Sequence, residues 1–368
     1  MKGFHYFMPA DVYFGKDCIL KKNEIFKKYG QKALLVTGRS SAKKNGAQKD
    51  VVEALEAVGI SWVLFDEIGE NPDLETVERA GLVAIQENVD FIIGIGGGSP
   101  MDASKAIAVL AANPGAPTEI LFAEEKSAYL PVIAVPTTAG TGSEVTQFAV
   151  MTLHKKRTKA PMAARVFAEA AFLDSKYMET LSPKVTNNTA IDALTHLIES
   201  YLSAASNFMS EQIVEAGLKL FKDCIPALKA REYDEETRDK LLLASTFAGI
   251  AIAQTGTSLP HYLGYYLTYE KGIPHGRANG MLMKEYLALF PQGDAKVAAV
   301  LQCLGMDNID DLDKFMEEVL DITETFTADE LKDFAKRAME APQRLLSFSA
   351  YSILEEHVYT LYERSLLK

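Results

Sequence analysis

Four short, nearly uninterrupted apolar runs between residues 30 and 180 constrain the fold more than any other feature of the chain. They are Lys32–Thr37 (KALLVT), Ser61–Ile68 (SWVLFDEI), Asp90–Ile95 (DFIIGI) and Pro131–Val135 (PVIAV). Segments with helical periodicity separate them: Gln48–Val58, Leu74–Asn88 and Met101–Ala112. Strands that are apolar throughout are buried on both faces, as in a parallel sheet sandwiched between helices. The alternation therefore predicts βαβ units and a doubly wound α/β domain. The opening stretch, Phe4–Phe14, alternates and contains Pro9, the pattern of an edge hairpin or of an arm reaching a second subunit.

After about residue 180 the strand signals stop. Thr189–Ser203, Ser210–Lys222, Glu235–Gln254 and several segments between Ala295 and Leu366 carry helical periodicity instead. We therefore expect two domains, an α/β domain over residues 1–180 and an all-α domain over residues 181–368. The turn and cap residues of Asp174–Pro183 mark the boundary.

Composition excludes several function classes. With 38 basic and 50 acidic residues the net charge is −12, which disfavours duplex nucleic acid or an anionic membrane as partner, since both call for basic patches. A chain 48% hydrophobic is not disordered as a whole. The 3 cysteines, Cys18, Cys224 and Cys303, are far apart and form no CxxC pair, so neither a disulfide framework nor a thiolate zinc site is signalled. No run of about 18 apolar residues occurs, and the N-terminus lacks the apolar core of a signal peptide. Together these predict a cytoplasmic protein with no membrane partner.

Two loops carry the first chemistry. In FIIGIGGGSPMDASK (residues 91–105) a strand runs through a glycine turn into a helix, for which Ser99 is a natural N-cap and Pro100 a natural first residue. A helix N-terminus behind a glycine turn is an anion site suited to a pyrophosphate. The spacing is not the standard dinucleotide fingerprint, and a plain tight turn would look similar. A second strand leads into PTTAGTGSE (residues 136–144), where Thr137, Thr138, Thr141 and Ser143 supply hydroxyls. In an open parallel sheet both loops lie at one edge, which favours a dinucleotide held across them.

The third signal is a set of metal-type ligands. Asp192 and His196 stand four apart in a helical segment and point the same way. We expect Asn188 or Thr189 to cap that helix. His261 and His275 each follow a proline in an apolar context. Each of these is weak alone, because a single buried histidine is more often a satisfied core residue. Together one carboxylate and three imidazoles would suit Fe(II) or Zn(II) and leave room for a substrate oxygen. His5, His154 (in the basic loop HKKRTK) and His357 look incidental.

With these motifs in place the chain resembles the iron-dependent (group III) alcohol dehydrogenase family. The residues carrying the likeness are GGGSPMDASKA at 96–106, PTTAGTGSEVT at 136–146, DALTH at 192–196, and His261 and His275 fourteen apart. The likeness runs essentially end to end and is strongest to bacterial NADP-dependent alcohol and 1,3-propanediol dehydrogenases. It implies a dehydroquinate synthase-like architecture, with a Rossmann-like dinucleotide-binding domain, an all-helical domain and an active site in the cleft between them. It implies a metal, Fe2+ or alternatively Zn2+, on Asp192, His196, His261 and His275, which are then also the catalytic residues. It implies cofactor contacts from Gly97, Gly98, Ser99, Asp102, Thr137, Thr138 and Thr141, with Asn71, Lys159 and Leu173 added. It places Phe148 and Ile252 near the substrate, in an apolar pocket that favours small primary alcohols and aldehydes, and it implies a homodimer.

The sequence departs from the family pattern twice. NAD-specific relatives often carry Asp after the first strand, where it repels a 2′-phosphate. Here that position is Gly38, followed by Arg39, Ser40 and Ser41, so NADP(H) is expected over NAD. Many relatives also have a histidine four residues after the third ligand. Here that position in the substrate pocket is Tyr265, and a proton relay through that histidine does not carry over. The expected reaction is hydride transfer between NADP(H) and a small primary alcohol or aldehyde held by the metal. The rivals are an NAD-linked glycerol or diol dehydrogenase, a dehydroquinate synthase type reaction, a non-catalytic dinucleotide sensor, and a protein whose metal merely staples the helical half.

Overall fold

A computed structural model describes residues 3–123, 127–340 and 354–367. The chain divides into two compact units, Met8–Leu181 and Ser182–Lys368, with Met1–Phe7 joining the second.

The first unit is built on a six-stranded parallel sheet. Its strands are β1 (Asp11–Phe14), β2 (Lys32–Gly38), β3 (Ser61–Ile68), β4 (Phe91–Gly96), β5 (Val132–Pro136) and β8 (Ala170–Leu173), in the order β1-β8-β5-β4-β2-β3. The four apolar runs are β2 to β5, with ends shifted by a residue. Helices α1 (Cys18–Lys21), α2 (Ser41–Lys44), α3 (Ala47–Glu56), α4 (Leu74–Gln86) and α5 (Gly98–Ala112) connect them. The core lies along the sheet, where Phe26, Leu35, Phe91, Ile93, Ile133 and Phe172 are fully buried. Chain order reverses beside β2: β3 lies on one side of it and β4 on the other. That reversal is the topological switch point at which open α/β sheets hold ligands.

The structure corrects the reading of the N-terminus. Residues 11–14 form no hairpin. They pair in parallel with β8 as the edge strand of the sheet. Residues 3–7, counted above with the α/β domain, fall in the helical unit, where Phe7 and the Gln254 side chain exchange two hydrogen bonds (Phe7 N–H to Gln254 Oε1, Gln254 Nε2–H to Phe7 O). The basic loop is the tip of a small antiparallel hairpin, β6 (Val150–Leu153) with β7 (Thr158–Pro161), and its residues 154–157 are exposed.

The second unit carries helices and no strand among its described residues. It comprises α6 (Pro183–Leu202), α7 (Phe208–Ala230), α8 (Glu235–Thr255), α9 (Leu259–Lys271), α10 (His275–Met281), α11 (Met283–Leu287), α12 (Ala295–Leu304), α13 (Ile309–Leu320), α14 (Ala328–Met339) and a final helix Glu355–Leu366. Helix α6 packs against α7, α8, α10, α12 and α13 and is buried almost all round. It starts earlier than expected: Ser182 is its cap, accepting from Val185 N–H, and Pro183 is its first residue. The physical reason is that Ser-Pro satisfies the helix start better than the Asn-Thr pair downstream. Asn187 instead donates from its amide to the carbonyls of Leu228 and Val319. No single helix among the described residues is long and apolar enough to cross a membrane; α8 and α9 pass that test only jointly, across a 110° bend.

Candidate metal and dinucleotide sites

Burial makes α6 informative. A helix surrounded by others should be apolar all round, yet Asn187, Asp192, Thr195, His196, Glu199 and Ser200 are all buried in it. Asp192 meets two residues from elsewhere in the helical unit. Ligand atoms of Asp192, His261 and His275 all lie within 4.8 Å of one another. His261 is the third residue of α9 and His275 the first of α10, so helix starts present both. His196 stands beside this trio rather than inside it, its ring stacked on that of His261 with centroids 4.1 Å apart and planes inclined by 26°. Tyr265, one helical turn beyond His261, stacks on the His275 ring at 5.2 Å. Asp192, His196 and His261 are buried, whereas His275 is only partly so.

The trio is electrostatically coupled. Burial alone would raise the Asp192 carboxyl, but the charges of His196 and His275 and the contact with His261 hold it well below the usual carboxylate range. Burial would lower His261, yet Glu199 and Asp192 together push it up to about 9. His261 Nε2 is buried, makes no hydrogen bond and lies 3.5 Å from Asp192 Oδ1. That oxygen also accepts from Asn279 Nδ2 at 3.1 Å. An imidazole nitrogen with no hydrogen bond facing a carboxylate, with a second imidazole in reach, is a donor set that fits a divalent transition-metal ion.

Sequence reasoning missed Glu199 and Asn279. A signal existed for both: Glu199 stands three residues after His196 and seven after Asp192, on the same helix face, and Asn279 stands four after His275.

The α/β unit assembles the other residues. The chain leaves β4 through Gly96, whose φ of +152° disfavours any side chain. Helix α5 then begins at Gly98 with Gly97 as its cap, and no side chain caps it. Ser99 is therefore not the N-cap. It lies inside the first turn, because helical geometry starts one residue earlier, and its hydroxyl accepts from Asn71 N–H at 3.0 Å. The Asn71 side chain in turn accepts from Lys159 Nζ at 2.8 Å. The loops after β4 and β5 are in contact. Thr137 N–H donates to Gly96 O at 2.9 Å, and a Cβ on Gly98 would sit 2.6 Å from Thr141 Cγ2. Beside Gly97, Thr138 Oγ1 would lie 3.1 Å from an added Cβ.

Asp102 turns inward, its oxygens accepting from Ser143 Oγ at 2.6 Å and Val150 N–H at 2.8 Å. Gly38 ends β2 at the switch point, with Arg39 and Ser40 exposed after it. Leu173 is fully buried at the end of β8, two strands from β4, and its carbonyl accepts from Gly15 N–H. Phe148 belongs to this unit, its ring beneath the Arg165 guanidinium at 5.3 Å. Ile252 is buried on α8 of the helical unit.

Comparison with known proteins decides the family. Residues 9–175 match the model for iron-containing alcohol dehydrogenase, and residues 186–366 match that for the C-terminal region of the Fe-containing alcohol dehydrogenase family. The chain belongs to the iron-containing alcohol dehydrogenase family. Among relatives of this family member, an NADPH-dependent butanol dehydrogenase of Clostridium saccharobutylicum is 29% identical over 327 residues, covering 86% of this chain and 82% of that one. A lactaldehyde reductase of Escherichia coli (strain K12) is 31% identical over 284 residues, covering 74% and 72%. The crystal structure of an iron-containing alcohol dehydrogenase from Thermotoga maritima superposes with a TM-score of 0.92 at 37% identity, over 99% of each chain.

Proposed function

We propose that this family member is a metal-dependent oxidoreductase that transfers a hydride between NADP(H) and a small primary alcohol or aldehyde. The observation that carries the reading is the convergence of Asp192, His261 and His275 within 4.8 Å, with His196 completing the ligand set from the same helix as Asp192. A divalent ion held there, iron or zinc, supplies Lewis acidity toward an alcohol or carbonyl oxygen, and a bound nicotinamide supplies or takes the hydride.

The chain's own residues bind and orient. In this reading Gly97, Gly98 and Ser99 offer the start of α5 to the pyrophosphate, flanked by Thr137, Thr138 and Thr141. Asn71 and Lys159, joined to Ser99 by hydrogen bonds, lie beside it. Asp102 serves by holding the Ser143 hydroxyl and the Val150 backbone N–H in place. Leu173 lines the end of β8. Gly38 with Arg39 and Ser40 leaves room and charge for a 2′-phosphate, and the NADPH-dependent relative in Clostridium supports that preference. Phe148 and Ile252 supply apolar walls, and Tyr265 shields His275. The names of the butanol and lactaldehyde relatives support a small aldehyde or alcohol as substrate. We further propose a cytoplasmic homodimer, supported by an edge strand that exposes Val12 and Phe14 and by exposed Phe4 and Phe7.

The test is NADPH oxidation by the chelated enzyme, reloaded with Fe(II) or Zn(II), against a panel of aldehydes, polyols and sugar acids. Turnover of small aldehydes that needs the metal is the expected result. A preference for polyols with NADH would favour the diol dehydrogenase reading. His261→Ala that binds NADPH but oxidises none excludes a mere sensor.

A further inference from the structure

Glu199 is fully buried on α6, and a carboxylate in a protein interior needs a donor on each oxygen. Both have one. Oε1 lies 2.5 Å from His261 Nδ1, and Oε2 accepts from Ser258 N–H at 2.5 Å. Ser258 is the residue that caps α9, and His261 is the third residue of that helix. Glu199 therefore grips the first turn of α9 at two points.

The two contacts have a chemical consequence. A backbone N–H can only donate, and a carboxylate accepts at both oxygens. For the contact to Oε1 to be a hydrogen bond, Nδ1 must carry a proton, so Nε2 is the nitrogen that gives up its proton and offers the lone pair when a metal ion binds. Nε2 is the buried atom that makes no hydrogen bond and lies 3.5 Å from Asp192 Oδ1. We propose that Glu199 is a positioning residue: it locks His261 in the Nδ1–H tautomer and fixes the ring so that Nε2 is offered to a divalent metal ion beside Asp192. The inference rests on the metal reading given above.

Glutamine has the same shape and cannot do the same work. If its oxygen accepts from Ser258 N–H, its NH2 faces Nδ1 and favours a proton on Nε2, which blocks the metal. If its oxygen faces Nδ1–H instead, its NH2 opposes the Ser258 N–H, donor against donor. Outer partners of this kind are worth 10–100-fold, on the order of magnitude, in metal affinity.

The experiment titrates Zn(II) against a competing chelator in wild type and Glu199→Gln, both metal-stripped, with NADPH affinity and melting of the stripped proteins followed in parallel. The expected result is zinc affinity lowered about 10–100-fold in the variant, with NADPH affinity and melting retained. Unchanged zinc affinity overturns the proposal, as does a loss of NADPH binding as large as the loss of zinc, which marks a purely structural role. Should the variant not fold, 15N-histidine NMR of zinc-loaded wild type decides. A protonated Nδ1 and a metal-shifted Nε2 on His261 support the proposal, and an unprotonated Nδ1 overturns it. Wild type that binds no zinc overturns both this inference and the metal reading, whereas equal binding by both proteins overturns this inference alone.

Discussion

Gly276 lies so close against Asp192 that a Cβ built on it would stand 2.6 Å from the Asp192 Cβ and 2.1 Å from the carbonyl oxygen of Asn188. The absent side chain is what lets α10 seat on α6 and bring His275, its first residue, to the carboxylate. The requirement is space. The intruding methyl would meet helix backbone, which cannot rotate away as a side-chain tip can. Gly276→Ala is therefore expected to push α10 off α6, costing about 1–3 kcal/mol from overpacking and weakening zinc binding. Denaturant unfolding and zinc titration check this. A variant with wild-type stability and zinc affinity would show that the two helices have slack.

Lys105 is almost fully buried, and its ammonium donates to the carbonyls of Ser143, Thr146 and Phe148 and to Ser143 Oγ, all at 2.7–2.9 Å. Burial pulls it down to about 8, against the charges of Asp102 and Glu144. It ties the segment carrying Thr141 and Phe148 to the helix behind the glycine turn. Lys105→Met keeps the length and removes the donors, leaving carbonyls and Asp102 uncompensated. Loss of about 3–5 kcal/mol is expected, the usual cost of removing one partner from a buried charge pair, together with weaker NADPH binding. Urea unfolding and a fluorescence titration read both; a loss under about 1 kcal/mol would mean that water replaces the ammonium.

What was legible in the sequence tracks what is local. Strands β2 to β5 are continuous apolar runs, and His261 and His275, which the fold brings beside Asp192, each follow a proline at a helix start, so local pattern marks them. Strands β1 and β8 are four residues each and sit at one side of the sheet. Their pairing joins Asp11 to Ala170, a partnership between segments that nothing in either predicts. Ser99 looked like a cap because serine often is one, yet the chain turns helical a residue sooner and spends the hydroxyl on Asn71. Glu199 and Asn279 were hidden for another reason: polar residues on a helix read as solvent-facing until the neighbours that bury them are known.

The Lys176 ammonium gathers Asp17, Asp50 and Asp174, and Tyr177 donates its hydroxyl to Asp50. These residues follow β1, lie on α3 and follow β8, so the cluster pins the edge strand. Burial would lower Lys176, but its bonds to Asp17 and Asp50 and the charge of Asp174 raise it above the usual lysine value. The bond from Lys176 holds Asp17 below the usual carboxylate value. The raised lysine contributes fully below its unfolded value of about 10.4 and fades as pH rises through its folded value; the depressed aspartate contributes above about 3.9 and fades as pH falls. The melting gap between wild type and Lys176→Met should therefore be flat from about pH 5 to 9 and narrow beyond both ends. A gap that varies with pH inside that window would assign the stabilisation to other groups.

Cofactor choice is expected to turn on Gly38. It ends β2 at the point where strand order reverses, and no carboxylate stands there to repel a 2′-phosphate. An added side chain has room: a Cβ at Gly38 would meet Ile68 O at 3.4 Å and Ser41 Oγ at 3.7 Å, both ordinary contacts. Gly38→Asp should fold normally, and its carboxylate should accept from ribose hydroxyls of NADH while repelling the phosphate of NADPH. The ratio of kcat/KM for NADPH over NADH is expected to fall by about tenfold or more, equivalent to about 1.4 kcal/mol. Arg39→Ala should raise KM for NADPH and leave NADH nearly unaffected, because only the phosphate needs the guanidinium. If both variants keep the wild-type ratio, the phosphate is recognised elsewhere or is not recognised at all. A wild type that already prefers NADH would refute the assignment before any variant is made.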